Sequence, residues 1–147
     1  MFEKLINTLD TLSDRVYNNI TKQILSRGRK NSLKRTFIQT TEFSKRWESL
    51  GFNVQEDLAM LEADILSAPK KYPVIPGTGS LRKMRWSSES HGKRGGVRVC
   101  YIDFDRYETV YLITTYSKNE SDDLSPTQKK TIKKLTEILE KELEGLS

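Results

Sequence analysis

Hydrophobic residues recur along this chain with two different periods, and the change from one period to the other predicts the order of its elements. Spacings of three or four residues are typical of amphipathic helices, and strict alternation is typical of strands. The helical spacing occurs over residues 4–25, 41–50, 53–68 and 125–143. Alternating or β-branched runs occupy residues 35–39, 81–87, 97–104 and 109–117. The predicted order is therefore one extra helix, a strand, two helices, three strands and a final helix.

Capping residues mark where the predicted helices begin and end. Thr41 is expected to cap the helix that Gly51 terminates, and Asn53 with Glu56 resembles a capping box for the next one. Ser125 is followed by a proline and, three positions after the cap, by a glutamine, which is a strong helix start. The apolar stripe expected for the last helix consists of Ile132, Leu135, Ile138, Leu139 and Leu143.

This order of elements predicts an α+β fold, in which helices pack on one face of a curved, mainly antiparallel sheet. Residues 1–34 are expected to form a helical extension and a basic linker, and residues 35–147 the main domain. The extra amphipathic helix is expected to pack on that domain or on a second copy of the chain, so self-association through it is a further expectation.

Composition narrows the classes of function. A chain of 147 residues with 35% hydrophobic and 31% charged residues supports a single domain with a modest core. Its net charge of +5 favours an acidic partner such as nucleic acid. The single cysteine excludes an internal disulfide and a cysteine-based zinc site. The single histidine argues against a metal site or a Ser/His triad, so no metal or cofactor is expected. The sequence has neither a long apolar span nor a signal-peptide pattern, so a cytoplasmic protein without membrane association is expected.

The positive charge is most concentrated between residues 81 and 98, which contain six basic residues and one acidic residue. In an extended strand alternate side chains share a face, so Lys83 and Arg85 are expected to point the same way. Arg98 on the next strand can join them, and Lys118 ends the third strand near the same rim. Arg82 is expected on the other face of its strand.

Such a cluster can be a solvated sheet face, or it can hold a phosphodiester. Arginine binds phosphate oxygens bidentately, and like charges held close together lower the pKa of a lysine, which lets it transfer protons. A basic, glycine-containing loop that carries His91, Lys93 and Arg94 connects the two strands. The tyrosines of the strands offer stacking faces for bases, although tyrosines in strands are more often packing residues.

Three motifs in order resemble the HigB-like branch of the RelE toxin superfamily. They are GTGSLRKMR at 77–85, GKRGGVRV at 92–99, and YSKNE at 116–120 followed by DLS at 123–125. The resemblance extends over roughly residues 35–143. Where RelE has an arginine after the position of Lys118 this chain has Asn119, and the catalytic tyrosine of RelE has no counterpart here.

The resemblance implies a RelE-like fold and a toxin of a type II toxin–antitoxin pair, which cleaves mRNA on the ribosome without a metal. It implies a HigA-like helix-turn-helix antitoxin as the partner. Catalytic positions would be Lys83, Arg85, Arg98 and Lys118, and RNA would be bound by Arg82, His91, Lys93 and Arg94. The alternative is a non-catalytic, basic nucleic-acid-binding protein, either a regulator or an inactive toxin, which uses the same sheet.

Overall fold

A computed structural model describes residues 34–88, 96–120 and 124–146 of the chain. In that part, strand β1, two helices and three strands are followed by a long helix. The bounds are β1 Thr36–Gln39, α1 Thr41–Ser49, α2 Glu56–Ser67, β2 Leu81–Trp86, β3 Val97–Phe104, β4 Thr109–Ser117 and α3 Pro126–Leu146. The order predicted for these segments is confirmed. The predicted helix over residues 4–25, and any self-association through it, lie outside the described residues.

The two short helices are delimited by side-chain caps and a glycine. Thr40 caps α1, because its hydroxyl accepts a hydrogen bond from the Phe43 N–H at 3.0 Å, so the prediction of Thr41 as the cap was wrong by one residue. Gly51 follows the last turn of α1 with φ at 86°, a left-handed conformation that a side chain would strain. The Asn53 side chain accepts hydrogen bonds from three N–H groups at the start of α2. The Asn53 N–H donates a hydrogen bond to the carboxylate of Asp57, and not to that of Glu56 as the capping-box pattern suggested.

The four strands form one mixed sheet in the order β1–β4–β3–β2. The β2–β3 and β3–β4 pairs are antiparallel, and β1 runs parallel to β4. The β3–β4 register shifts between Cys100 and Tyr101, which leaves Ile113 of β4 without a partner residue in β3. The Thr40 hydroxyl donates a 2.6 Å hydrogen bond to the Ile113 carbonyl, which joins the start of α1 to this bulge.

Helices cover both faces of the sheet, which corrects the prediction that they lie on one face. One buried cluster joins α1 and α2 to the face that carries Met84, Val99 and Leu112. A second cluster joins α3 to the opposite face, which carries Leu81, Ile102 and Ile113. Successive residues of β3 enter alternate clusters, so the strand is buried on both sides.

The long helix α3 begins at a capping box, as predicted. Ser125 and Gln128 exchange two hydrogen bonds between side chain and backbone, at 2.9 and 3.1 Å. The predicted apolar stripe is buried except at Ile138, which is 41% exposed, so that assignment was wrong. Thr136 is buried on this face of the helix instead, where its hydroxyl donates to the Ile132 and Thr78 carbonyls.

A buried arginine ties the start of β1 to the end of β3. Arg35 is 8% exposed, and its Nε lies 2.8 Å from an oxygen of Asp103, whose side chain is 1% exposed. A second nitrogen of the same guanidinium lies 2.8 Å from Asp105, which also pairs with Lys70 at 2.9 Å. The hydrogen bond from Lys70 holds the pKa of Asp105 below its usual value. These pairs fix where the chain enters the sheet.

The α+β class and the mainly antiparallel sheet, with two helices between β1 and β2 and one helix after β4, are confirmed. The boundary between an extension over 1–34 and a domain over 35–147 stays a prediction. None of the helices in the described part of the chain combines the length and apolarity that crossing a membrane requires.

Candidate nucleic-acid interface

Three predicted site residues lie together on one sheet face. Arg85 of β2 is directly opposite Arg98 of β3, and Lys83 is opposite Cys100, the next residue of β3 on that face. Arg98 is flanked on its other side by Tyr116 of β4. We call Lys83, Arg85 and Arg98 the basic face. Directly opposed residues have Cβ atoms about 5 Å apart, so the side chains of Arg85 and Arg98 start next to each other on the sheet.

Helix α3 leaves the basic face open because it crosses the other end of the sheet. Its Thr136 bonds to Thr78, before the start of β2, and Glu142 is close enough to Tyr111, near the start of β4, to influence its ionisation. Arg85 is accordingly exposed, and Lys83 and Arg98 are half-buried.

The two arginines of the basic face are paired with each other across the sheet and with no acidic residue in the described ranges. Within the described parts of the chain, no carboxylate lies within 4.0 Å of the side-chain nitrogens of Arg85 or Arg98. Like charges directly opposite each other on a sheet destabilise it. An oxyanion between the two guanidinium groups would remove that repulsion and accept hydrogen bonds from both.

A turn at the end of β4 carries Lys118. The Glu120 N–H donates to the Ser117 carbonyl at 3.1 Å, which closes the turn, and the Glu120 carboxylate lies 3.2 Å from Nη1 of Arg46 on α1. Nε of Arg46 pairs in turn with the buried Glu42 at 2.7 Å. Lys118 is thereby held at the same end of the sheet as Arg98, although the two residues are not direct partners. The sequence analysis missed the part played by Arg46, because it pairs with a residue 74 positions later.

Two carboxylates of α2 hold the end of β2, where the basic loop begins. The Ser88 hydroxyl donates to Asp57 at 2.7 Å, and the Trp86 indole N–H donates to Asp64 at 2.8 Å. Asp57 is 2% exposed and Ser88 1%. His91, Lys93 and Arg94 follow in a segment that lies outside the described residues.

Arg82 lies on the opposite sheet face from Lys83, as its position in the strand predicts. Its Nη1 donates to the Tyr72 carbonyl at 2.6 Å and to the Lys70 carbonyl at 3.1 Å. Arg82 also forms an isolated β-bridge with Val74, so this segment runs along the outer edge of β2. These contacts give Arg82 a structural role, and its contact with RNA stays a prediction.

The strand tyrosines are packing residues, as the alternative in the sequence analysis held. Tyr101 and Tyr111 are fully buried and Tyr116 is 1% exposed, so none of them offers a face on which a base could stack. The Tyr101 hydroxyl donates to the Pro69 carbonyl at 2.7 Å, and burial raises the pKa of Tyr101 to about 12. Cys100 is a buried free thiol.

No protein-family model matches the sequence. Among solved structures, the chain resembles a mutant of the Escherichia coli toxin RelE in the free state, with 21% sequence identity and a TM-score of 0.43. The match covers 56% of this chain and 82% of the RelE chain.

The arrangement can hold a phosphodiester by charge and hydrogen bonding alone. Two opposed arginines can each offer a bidentate pair of N–H groups, and two lysines on the same end of the sheet can each donate to an oxygen. No group of three or more His, Cys, Asp or Glu side chains in the described ranges could hold a metal ion.

Proposed function

We propose that this protein is an endoribonuclease toxin of the type II toxin–antitoxin class, which cuts mRNA on the ribosome. The observation that carries the proposal is the pair of directly opposed arginines, Arg85 and Arg98, next to Lys83 on the open end of the sheet. A fold that needed only stability would place opposite charges at such positions. The resemblance of the surrounding motifs to the RelE superfamily supports the phosphodiester of RNA as the anion.

The proposed reaction is an internal transesterification. The ribose 2′-hydroxyl loses its proton and its oxygen forms a bond to phosphorus, while the bond between phosphorus and the 5′-oxygen breaks. The leaving 5′-oxygen takes up a proton, and the products are a 2′,3′-cyclic phosphate and a 5′-hydroxyl. Lys83 and Arg98 hold the phosphate and stabilise the extra charge of the pentavalent state, with Arg85 in support. Lys83 and Lys118 are the candidates for the two proton transfers.

RNA backbone contacts are assigned to the basic loop through His91, Lys93 and Arg94. Because the proposed substrate is mRNA during translation, we expect the protein to act in the cytoplasm and to bind the ribosome. A HigA-like antitoxin is the proposed inhibitor.

Expression of the chain in a bacterial host tests the proposal. We expect the native chain to arrest growth, and Lys83→Ala with Arg98→Ala to abolish the arrest while circular dichroism stays unchanged. Lys45→Ala with Lys141→Ala removes the same charge from exposed positions elsewhere and should stay toxic. Growth arrest by the folded Lys83/Arg98 variant would refute the site.

Primer extension separates cleavage from binding. Cuts in phase with codons on translated message, absent from the Lys83/Arg98 variant, are the expected result. Intact message, together with salt-sensitive RNA binding, would identify a non-catalytic nucleic-acid-binding protein instead.

A further inference from the structure

A second basic surface lies on the first half of α3, away from the strands. Four lysines occupy its first three turns, and we call Lys129, Lys130, Lys133 and Lys134 the lysine surface. Lys129 is half-buried and the other three are exposed. They form two pairs spaced four residues apart, which places the members of each pair about 6 Å apart along the helix axis.

This arrangement opposes the stability of the helix that carries it. Like charges four residues apart repel each other, and cations near a helix N-terminus oppose its dipole. The first turn of α3 has no acidic residue to offset them. Among the described residues, no carboxylate lies within 4.0 Å of the four ammonium groups. A partner that brings negative charge to this surface would relieve both conflicts.

The loop before β2 fixes part of the lysine surface in place. A Cβ atom on Gly77 would lie 3.2 Å from Cδ of Lys129, and one on Gly79 would lie 3.7 Å from Cγ of Lys133. Both aliphatic stems therefore run along the backbone of the loop. Side chains that are ordered before binding lose less entropy when they bind.

The composition of the surface favours a nucleic acid over a protein as the partner. Interfaces between proteins are depleted of lysine at their centres and are anchored by aromatic and apolar residues. Of the large apolar residues that the described helices expose, only Ile138 lies next to the four lysines. Lysines without an apolar anchor suit a polyphosphate backbone, which they bind as point charges without regard to base sequence.

We propose that the lysine surface binds the phosphate backbone of RNA, as a docking surface separate from the basic face. The identity of the polyanion rests on the proposed function, whereas the surface itself rests on the geometry of α3. Since α3 packs on the sheet face that carries Lys83, Arg85 and Arg98, a single RNA strand can contact both surfaces.

Binding to an RNA that cannot be cut tests the docking surface. The probe is a fluorescent single-stranded RNA whose 2′-hydroxyls are methylated, titrated by anisotropy over a series of salt concentrations. Lys130→Gln with Lys134→Gln removes two phosphate contacts, so the salt slope should fall by about 1.4 and the affinity at 0.1 M salt by about 25-fold. Lys45→Gln with Lys141→Gln removes the same charge and should leave the slope as it is in the native chain.

A slope for the Lys130/Lys134 variant equal to that of the control would overturn the proposal. If the Lys130/Lys134 variant kept the native salt slope for RNA but lost binding to poly-glutamate, the surface would be assigned to an acidic protein, and the proposal would also be overturned. Cleavage is scored separately on translated mRNA: if the native chain cuts nothing and the slope still falls as expected, docking stands and the proposed function fails. If the native chain cuts while the slope is unaffected, the proposed function stands and docking fails.

Discussion

Neutralising Arg98 should make the protein more stable while it removes the proposed activity. Arg85 and Arg98 are directly opposed across β2 and β3, and we take about 7 Å as the separation of two guanidinium groups that splay from Cβ atoms about 5 Å apart. Coulomb's law gives a repulsion of about 0.6 to 1.2 kcal/mol at that distance for an effective dielectric constant of about 80 to 40, which suits half-exposed charges. Arg98→Met removes the charge and retains an apolar stem, so its free energy of unfolding should rise by about 1 kcal/mol.

Urea unfolding at two salt concentrations measures this gain, because urea adds no ions. The Debye length falls from about 30 Å at 0.01 M salt to about 3 Å at 1 M, so the gain should be present at low salt and largely vanish at high salt. Arg85→Met is the matched variant and should show the same gain.

A variant with both Arg85→Met and Arg98→Met decides whether the two gains in the free energy of unfolding have one cause. Either single substitution removes the shared repulsion, so the gain of the double variant should fall short of the sum of the two single gains by about 1 kcal/mol. Additive gains, or a gain for Arg98→Met that salt leaves unchanged, would refute the reasoning.

Three further predictions concern the parts around the basic face. Arg35→Met should lower the free energy of unfolding in urea by about 3 to 5 kcal/mol, because it leaves the buried Asp103 carboxylate without its partner; a loss below about 1 kcal/mol would contradict the buried pair. Glu120→Ala should impair cleavage in the native background and have no further effect in a Lys118→Ala background, if Glu120 acts by holding the turn; equal losses in both backgrounds would show that it does not act through Lys118. Burial raises the pKa of Tyr101 to about 12, so below pH 10 its contribution to stability is complete, and it is lost as the pH rises through 12 because the unfolded chain releases the proton first. Phenolate absorbance during an alkaline titration should show this group ionising about two pH units late, and ionisation near pH 10 in the folded chain would contradict it.

Local patterns predicted the strands well because short alternating or β-branched runs define them. The predicted bounds of β3 and β4 match the structure, and strand parity assigned Lys83 and Arg85 to one face and Arg82 to the other. Arg98 joins the first two through the β2–β3 pairing, as expected if the two strands pair. The placement of helices on both faces was missed, although β4 carries a signal for it. From Thr109 to Tyr116 every residue is buried, and near-continuous burial is typical of a strand that is covered on both sides.

Contacts between distant segments were beyond the reach of local patterns. The pairing of Arg46 with Glu120 spans 74 residues, and that of Ser88 with Asp57 spans 31. Each of these polar residues, seen alone, fits a solvated surface. Only the folded chain shows that they hold the turn of Lys118 and the residues that follow β2.

The parallel pairing of β1 with β4 also sets an order of assembly during synthesis. The hydrogen bond between Thr40 and Ile113 joins residues 73 positions apart, which a ribosome needs about 4 to 15 s to add at 5 to 20 residues per second. Until β4 is made, β1 has no partner strand, Arg98 has no Tyr116 beside it, and the turn that carries Lys118 is missing. The β2–β3 pair that carries the basic face therefore gains its neighbouring strand and the turn of Lys118 only after most of the chain has been synthesised.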